Sequence, residues 1–356
     1  MVDELLRVGS IKDPRIEAAF RSIPRQLFLP GVEPAIVYRD DAISIQHGED
    51  GLPTSSSSQP TMMATMLEQL SLAGGASVLE IGTGSGYNAA LLGVIVGDGG
   101  RVRTLDIDED LVAAAQQHLR AAGVSNIHAT VADGWSGFPA DAPYDRVEVT
   151  VGVWDLSPAW IGQLAPGGII VAPLWLRGGV QASIAFRRDG ADLVSVSVSP
   201  CGFIRMRGPH AGPEVFMPVG DWVLCDDGTD ESEREQILRL LRSPAIVSGA
   251  PGFPDGWFIR VALSHPRPVR MWTRQEPWLD RRGILLPDGT GLAVSEDGRI
   301  LTFGNTQARD DLLDVAFASS KLEDVTVIAS PTNTRSAETG TSLVRPAFTY
   351  SFVWAH

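Results

Sequence analysis

Three acidic side chains and a glycine-rich turn are the residues of this sequence whose types and spacing could do chemistry together. Residues 77–87 read Ser-Val-Leu-Glu-Ile-Gly-Thr-Gly-Ser-Gly-Tyr, which predicts a short buried strand, a tight turn and the start of a helix. Glu80 lies at the end of that strand, Asp106 ends the next predicted strand, and Asp133 follows a third. Because the carboxyl ends of parallel strands share one edge of an α/β sheet, we expect the turn and the acids to surround one ligand.

The pattern of the turn favours a cationic nucleoside over a phosphate. It reads G-x-G-x-G, which differs from the dinucleotide pattern G-x-G-x-x-G and lacks the Lys-Ser/Thr ending of a phosphate loop. An acid beside the turn would also repel a pyrophosphate. S-Adenosylmethionine suits the site, since its amino group and ribose hydroxyls donate hydrogen bonds. The predicted cofactor-binding residues are Glu80, Gly82, Thr83, Gly84, Ser85, Gly86, Asp106, Ile107, Asp133 and Gly134.

Two of the acids have specific expected partners in this ligand. Asp106 is placed to accept hydrogen bonds from both ribose hydroxyls, and Asp133 to bond the adenine amino group. Each acid taken alone is also explained as a helix cap or a solvated strand end, and the glycine run alone as a structural turn. Three acids in register with one glycine turn favour the nucleoside site.

The elements that position these residues alternate between strand and helix. Apolar runs predict strands over 101–108, 126–132, 144–151 and 168–174, with helices over 61–72 and 109–122 and a hairpin over 181–198. The predicted fold is α/β, a Rossmann-like S-adenosylmethionine-binding sheet with helices on both faces.

A chain of 356 residues exceeds what one hydrophobic core usually covers, so two domains are expected. We place the first at 1–212, with residues 12–30 as an N-terminal cap, and the second at 213–356. The second shows short predicted strands at 283–286, 292–295, 300–303, 325–329 and 348–354, a helix at 308–322, and a capping box at Ser232–Glu235. This predicts an α+β domain that serves either peptide recognition or dimerisation.

Residues 10–212 resemble the protein-L-isoaspartate O-methyltransferases. The matching segments are Pro24–Pro30, Tyr38–Asp41, Ser58–Pro60, the glycine turn, Leu105–Asp108, Ala132–Gly134 and Gln163–Gly168. The resemblance implies an enzyme that uses S-adenosylmethionine to esterify a carboxylate in a peptide. It places Ser58 beside the acceptor carboxylate as the catalytic residue, and its implied substrate-binding residues are Ser57, Gln59, Pro60, Trp154, Phe203 and Arg205. The alternative for Ser58 is an N-cap on the helix starting at Thr61.

The sequence departs from the common repair enzymes of this family in two places. Both departures resemble a subgroup found with macrocyclic ribosomal peptides, the lanthipeptides and graspetides. The segment Val151–Trp160 replaces an alanine-rich stretch, and some 140 further residues follow the point where repair enzymes end. The subgroup implies methylation of an aspartate in the peptide, leading to aspartimide or isoaspartate. General repair of isoaspartyl proteins is the alternative, and a cofactor-binding scaffold without catalysis is a third.

Composition and charge limit the partners. A net charge of −14 with no basic stripe argues against nucleic acid. It would also repel an acidic peptide at long range, so the cationic cluster Arg205, Arg207 and His210 is the candidate for local attraction, a solvated loop being the alternative. Cys201 and Cys225 suit a reducing cytoplasm and predict no metal site. No apolar run has the length of a membrane span, and the beginning of the sequence shows no signal-peptide pattern.

Overall fold

The computed structural model describes residues 1–49, 51–213, 216–225, 231–274, 276, 279–319, 321–332 and 342–354, and of residues 231–234 only the backbone. The chain divides into two compact units. Unit 1 comprises Met1–Leu174 and Ser183–His210, and unit 2 comprises Trp175–Ala182 and Ala211–His356. The short segment Trp175–Ala182 thus belongs to unit 2, whereas the sequence prediction assigned all of 1–212 to the first domain.

The strands of unit 1 alternate with helices along the chain. They are β1 (Ile43–His47), β2 (Pro53–Ser57), β3 (Ser77–Ile81), β4 (Arg101–Asp106), β5 (Ile127–Val131), β6 (Tyr144–Val149), β7 (Leu164–Trp175), β8 (Gln181–Asp189) and β9 (Asp192–Cys201). The helices are α1 (Val2–Arg7), α2 (Pro14–Ser22), α3 (Pro34–Val37), α4 (Pro60–Leu70), α5 (Tyr87–Val96), α6 (Glu109–Ala121) and α7 (Pro158–Gly162).

The central sheet places its strands in the order β9-β8-β7-β6-β3-β4-β5. Strand β3 pairs in parallel with both β4 and β6, β4 with β5, and β6 with β7. The chain runs outward from β3 to β5 on one side and from β6 onward on the other. This reversal makes the carboxyl ends of β3 and β6 a topological switch point, where open α/β sheets bind their ligands. The predicted α/β fold is confirmed.

Helix α5 follows the glycine turn and lies in the interior of unit 1. Most of its side chains are buried, as expected for a helix that is apolar on all sides. It packs in one continuous core with residues of α2 and α4, including Phe20, Met66 and Leu67. Because this core surrounds α5, the turn at its N-terminus is held on a rigid support.

Strands β1 and β2 form a separate antiparallel hairpin that the sequence analysis did not predict. The serine-rich run at residues 54–58 supplies most of β2 and leads directly into α4. Strand β1 carries only the short alternation Ile43-Ser-Ile-Gln46, and β2 is after Pro53 a run of Thr and Ser without apolar residues, so the hairpin gave a weak signal in the sequence.

Unit 2 contains a seven-stranded sheet in the order β10-β11-β13-β14-β15-β16-β12. Its elements are β10 (Phe216–Val219), β11 (Trp222–Cys225), α8 (Glu231–Arg242), β12 (Ile246–Gly249), α9 (Trp257–Ser264), β13 (Pro268–Thr273), β14 (Asp280–Leu285), β15 (Gly291–Glu296), β16 (Arg299–Gly304) and α10 (Gln307–Ala316). All its strand pairs are antiparallel. A second group, β17 (Val325–Pro331), β18 (Ser342–Val344) and β19 (Phe348–Trp354), is also antiparallel.

Two apolar clusters stabilise the seven-stranded sheet. One joins Leu224, Met271 and Leu292 to Ile237 of α8, and the other joins Ile284 to helices α9 and α10. The predicted α+β character of this region is therefore confirmed. Helix α10 ends at Ala316 rather than at residue 322. The predicted capping box at Ser232–Glu235 lies outside the residues whose side chains are described. In the described part of the chain, no helix combines the length and apolar character needed to cross a bilayer.

Candidate cofactor and acceptor site

The glycine turn follows the end of β3, and its three glycines lie in different surroundings. Gly82 has φ +103°, and a Cβ there would lie 2.6 Å from Oγ1 of Thr150. Gly84 has φ +50°, and its would-be Cβ would face the backbone and side chains of β2 at 3.5 Å or more. Gly86 begins α5, and a Cβ there would lie 3.1 Å from that of Ala115 in α6. The first and third glycines therefore permit close packing within the protein.

A cavity that is open to solvent lies beside this turn. Most of the predicted cofactor residues line it: Gly82, Thr83, Gly84, Ser85, Asp106, Ile107, Asp133 and Gly134. Glu80 and Gly86 do not. The prediction that Gly86 lets the backbone approach a ligand is corrected, because its left-handed φ of +85° and its contact with α6 explain the residue.

Asp106 is held in place by the backbone. Its Oδ2 accepts a hydrogen bond from Gly84 N at 3.0 Å, and its Oδ1 accepts one from Asp108 N at 3.2 Å. A carboxylate has about four acceptor positions, so two remain for a ligand. The residue ends β4, lines the cavity, and is fixed by the glycine turn itself. This arrangement fits the ribose of S-adenosylmethionine, which presents two neighbouring hydroxyl donors.

Asp133 also lines the cavity and is exposed. Its Oδ1 accepts a hydrogen bond from Trp135 N at 3.0 Å, which caps the short turn Gly134–Ser136. The capping role that the sequence offered as an alternative is therefore present. One oxygen remains available to a ligand. The ring of Trp135 stacks on His210 with centroids 4.2 Å apart.

Glu80 points away from the cavity. It is fully buried, and its Oε1 accepts a hydrogen bond from Asn88 Nδ2 at 2.8 Å. Asn88 Nδ2 also donates to Oε2 of Glu148, at 2.9 Å. The expectation that Glu80 contacts the cofactor directly is therefore wrong. Its side chain projects from the face of β3 that packs against α5.

A second cavity adjoins the first. Its lining is formed by Ala42, Ser56, Ser58, Gln59, Thr61, Met62, Thr65, Ser199, Pro200, Cys201, Gly202 and Phe203. All these residues are uncharged. Ser56, Ser58 and Phe203 line both cavities, so Ser58 stands in the wall between them. Of the other predicted substrate residues, Gln59 lines the second cavity, and Ser57 and Arg205 line the first.

Pro60 and Trp154 line neither cavity, which corrects two predicted substrate contacts. Pro60 is buried at the first position of α4, where its fixed φ suits the start of a helix. Trp154 is buried in the core, with 8% of its surface exposed. Its indole is therefore not available to a peptide.

Ser58 does not cap α4, so the helix-cap alternative for it is wrong. The N-cap position is Gln59, and the free backbone amide of Thr61 donates to Oδ1 of Asp40 at 2.8 Å. Asp40 Oδ2 also accepts from the Thr61 hydroxyl at 2.6 Å and from Gln59 Nε2 at 3.0 Å. Because Asp40 satisfies the helix start, the hydroxyl of Ser58 is left for the cavity wall.

Arg25 is the residue that fixes Ser58, and the sequence analysis assigned it no role. Its side chain is completely buried, and its Nη2 donates to the carbonyl oxygen of Ser58 at 2.9 Å. Its Nη1 donates to the carbonyl oxygen of Val37 at 2.8 Å. Burial lowers the pKa of the Arg25 guanidinium, but such a group remains charged at neutral pH. The guanidinium therefore joins the chain just before α4 to the last residue of α3.

The segment from Phe203 to Arg207 forms one wall of the cofactor cavity. It is fixed by two backbone hydrogen bonds of 2.8 Å, from Gly152 N to the carbonyl oxygen of Ile204 and from Met206 N to that of Gly152. Arg207 lies 3.8 Å from Asp106 and 3.6 Å from Asp108. Arg205 and Arg207 line this cavity, His210 lines neither cavity, and none of the three lines the second cavity described above. This corrects the expectation that the whole cationic cluster attracts the acceptor carboxylate.

The switch-point sheet, the glycine turn and the backbone-oriented carboxylate of Asp106 define a methyltransferase that uses S-adenosylmethionine. A family model described as Protein-L-isoaspartate(D-aspartate) O-methyltransferase matches residues 1–209. The chain belongs to this family of carboxyl methyltransferases.

Individual relatives agree with this assignment. The chain is 36% identical over 211 residues to Protein-L-isoaspartate O-methyltransferase 2 of Shewanella sediminis, covering 59% of this chain and 82% of that protein. It is 40% identical over 187 residues to the Xanthobacter autotrophicus enzyme, covering 52% and 80%. A solved protein-L-isoaspartate O-methyltransferase matches all of both chains with a TM-score of 0.58 and 25% identity. A Plasmodium falciparum structure with S-adenosyl-L-homocysteine shares the fold, at 19% identity and a TM-score of 0.50 over 57% of this chain and 94% of that one.

Proposed function

We propose that Ser58 marks the point where a peptide carboxylate in the second cavity meets the methyl donor in the first. The observation that carries this proposal is the shared wall: Ser56, Ser58 and Phe203 line both cavities. The cofactor, when bound, supplies an electrophilic methyl group. With the cofactor held by Asp106 and the glycine turn, a carboxylate oxygen would accept this methyl group, and the sulfur would be the leaving group.

No general base is needed for this reaction, because an aspartyl carboxylate is ionised at neutral pH. The task of the protein is to remove water and align the two reactants, and such alignment lowers barriers by about 7–11 kcal/mol in well-oriented systems. The Ser58 hydroxyl is a neutral donor next to an uncharged cavity. It holds the carboxylate without the tight ground-state binding that a buried arginine would impose, since such binding would slow transfer.

The substrate that we propose is an aspartyl residue in a macrocyclic ribosomal peptide, whose ester leads to aspartimide or isoaspartate. The support comes from the sequence, in the segment Val151–Trp160 and the likeness to the lanthipeptide and graspetide subgroup. General repair of isoaspartyl proteins is the second candidate. The presence of unit 2 does not separate the two, because a solved protein-L-isoaspartate O-methyltransferase is matched over its full length by this chain. We further propose that unit 2 recognises the peptide or forms dimers, and that the enzyme works in the cytoplasm.

Competition between three peptides tests the substrate. The first is a macrocyclic aspartyl peptide, the second is the same sequence opened to a linear form, and the third is a linear isoaspartyl peptide. With radiolabelled S-adenosylmethionine, the proposal expects label on the macrocycle and little on its linear form. Preferential labelling of the isoaspartyl peptide would instead establish the repair function. Labelling that persists undiminished in Ser58→Ala would remove Ser58 from the acceptor site.

A further inference from the structure

Two glutamates lie side by side below the glycine turn, and the methyl transfer described above uses neither. Glu80 in β3 is directly paired with Glu148 in β6. Paired residues of parallel strands project from the same face of the sheet, and such strands lie about 4.8 Å apart. Glu80 is 0% exposed and Glu148 is 1% exposed. The two carboxyl groups are therefore neighbours in an environment without solvent.

The hydrogen bonds in this cluster do not balance if both acids are ionised. Asn88 Nδ2 spends both of its N–H donors on Glu80 and Glu148. Glu80 has a second side-chain hydrogen-bond donor in Thr104, whereas Glu148 Oε1 and Asn88 Oδ1 are buried acceptors with no partner among the residues that the structure describes. An unpaired buried acceptor costs about 1–3 kcal/mol. A proton on one carboxyl turns an acceptor into a donor and relieves this deficit.

The charges near the pair also oppose double ionisation. The further charged group that acts on Glu80 is Asp106, which is itself acidic, and the one that acts on Glu148 is Glu80. Within the described ranges, no lysine, arginine or histidine forms an ion pair with either glutamate. Burial raises the pKa of Glu80 to about 7 and that of Glu148 to about 8, and repulsion by Glu80 adds to the second.

The pair is connected to the cofactor cavity through two routes. Glu80 is in register with Thr104 in β4, whose Oγ1 lies 2.8 Å from Oγ1 of Thr83 in the glycine turn. Asn88, which bonds both glutamates, follows the turn in α5. Thr83 and Asn88 both line the cofactor cavity. A change of charge in the pair therefore acts on residues that shape the cavity.

We propose that Glu80 and Glu148 share one proton and together position the glycine turn, so that cofactor binding weakens when this proton is lost at alkaline pH. Loss of the proton leaves two adjacent buried carboxylates, both negatively charged and both hydrogen-bonded to the side-chain amide of Asn88. Their repulsion favours conformations in which Glu80 or Asn88 moves, and both are joined to the turn. Glu80 and Glu148 are positioning residues in this proposal, because neither contacts the cavity.

The direction of the pH dependence follows from proton linkage. The pKa of each acid is raised in the folded protein, so between the ordinary value of 4.5 and the folded values the native state binds more protons than the unfolded state. Stability therefore falls as pH rises through this range. Cofactor binding needs the ordered turn, so the affinity for the cofactor falls over the upper part of this pH range.

Calorimetric titration with S-adenosylhomocysteine between about pH 6 and pH 9 tests the proposal in the wild type, Glu148→Gln and Glu33→Gln. Glutamine keeps the shape of Glu148 but cannot ionise, and Glu33 is an exposed acid of the same unit. We expect the wild type and Glu33→Gln to lose about tenfold in affinity at the alkaline end, and Glu148→Gln to lose clearly less. Parallel profiles for all three proteins would overturn the proposal.

A measurement on the wild type keeps the proposal testable if Glu148→Gln does not fold. Carbon NMR of glutamate carboxyls labelled with ¹³C should show at least one resonance that titrates near neutral pH. Completion of every glutamate titration below about pH 6 would exclude a shared proton. Glu80→Gln provides the second variant, and it should flatten the same binding profile because it also removes one of the two ionisable groups.

Discussion

The Nη2 atom of Arg25 lies 2.9 Å from the carbonyl oxygen of Ser58, and the guanidinium that carries it is completely buried. The same nitrogen lies 3.4 Å from Oγ of Ser57 and 3.3 Å from the carbonyl oxygen of Asp41. A single side chain from the N-terminal region thus fixes the backbone that presents the proposed catalytic hydroxyl. The site depends on a residue distant from it in sequence.

Arg25→Lys should lower turnover much more than cofactor affinity. Lysine keeps the charge but has one nitrogen, so it cannot bond several carbonyl groups in the planar geometry of arginine. We expect a loss of stability of about 2 kcal/mol or more, because buried carbonyl groups lose their donor. Urea denaturation gives the stability, and initial rates with a methyl-accepting peptide give the turnover. Unchanged turnover in a folded Arg25→Lys protein would contradict a positioning role.

Ser58→Ala should reduce the rate constant of methyl transfer by about a hundredfold to a thousandfold, the range seen when one preorganised donor is removed. The affinity for S-adenosylhomocysteine should stay nearly unchanged, since the proposal assigns the hydroxyl to the acceptor carboxylate. Ser199→Ala is the matched control, because Ser199 lines the second cavity but not the first. If cofactor affinity falls as much as the rate in Ser58→Ala, the acceptor pocket has been misplaced.

The sequence indicated most of the predicted cofactor residues that line the first cavity because they belong to short-range patterns. The glycine turn and the acids at the ends of β4 and β5 each lie next to the strand that positions them, so spacing alone indicated Asp106 and Asp133. The same reasoning failed for Glu80. Strand periodicity does not say which of the two faces holds the ligand, and Glu80 lies on the face that packs on α5.

The acceptor half depended on contacts that no local pattern reveals. Arg25 reaches Ser58 across 33 residues, and Asp40 caps α4 across 21 residues to Thr61. Glu148 meets Glu80 only because β6 pairs with β3 at the switch point. A buried arginine or glutamate reads as a surface residue in a sequence, since its partners are fixed by topology. The available signal for Glu148 in the sequence was its position between the apolar residues Val147 and Val149 of the predicted strand.

Asp106→Asn should weaken S-adenosylhomocysteine binding by about tenfold to a hundredfold, the effect of losing one or two hydrogen bonds to a charged acceptor. Whichever way the amide turns, its NH₂ group faces the backbone N–H of Gly84 or of Asp108. Asp133→Asn is the comparison, because Asp133 is exposed and accepts from a single backbone amide. Calorimetric titration measures both. If Asp106→Asn weakened binding less than Asp133→Asn did, the roles assigned to the two acids would have to be exchanged.

Asp108 should make the stability of unit 1 sensitive to acid. The hydrogen bond from Gln46 Nε2, at 2.7 Å, lowers its pKa below the ordinary 3.8, with further help from Leu111 N and from Arg207. Because the folded pKa is depressed, this contribution is present at neutral pH and is lost as pH falls through the ordinary value and below it. Asparagine also caps helices well, so Asp108→Asn removes the titration and preserves the cap of α6.

Thermal unfolding followed from about pH 7 down to about pH 3 measures this contribution. The difference in midpoint between the wild type and Asp108→Asn should narrow as the pH falls. Asp98→Asn, at an exposed loop position of the same unit, controls for the change in net charge. A difference that stays constant across the series would show that the ionisation of Asp108 contributes no stability.

Gly86→Ala should destabilise unit 1 more than Gly123→Ala, although both glycines have left-handed backbone angles. Their φ values are +85° and +71°, so each substitution costs about 1–2 kcal/mol from backbone strain alone. At Gly86 the new methyl group would also lie 3.1 Å from Cβ of Ala115, whereas nothing lies within 4 Å at Gly123. Urea denaturation should therefore show an additional loss of about 1 kcal/mol or more for Gly86→Ala. Equal losses for the two variants would mean that the contact between α5 and α6 relaxes freely, and that packing does not require glycine at this position of the turn.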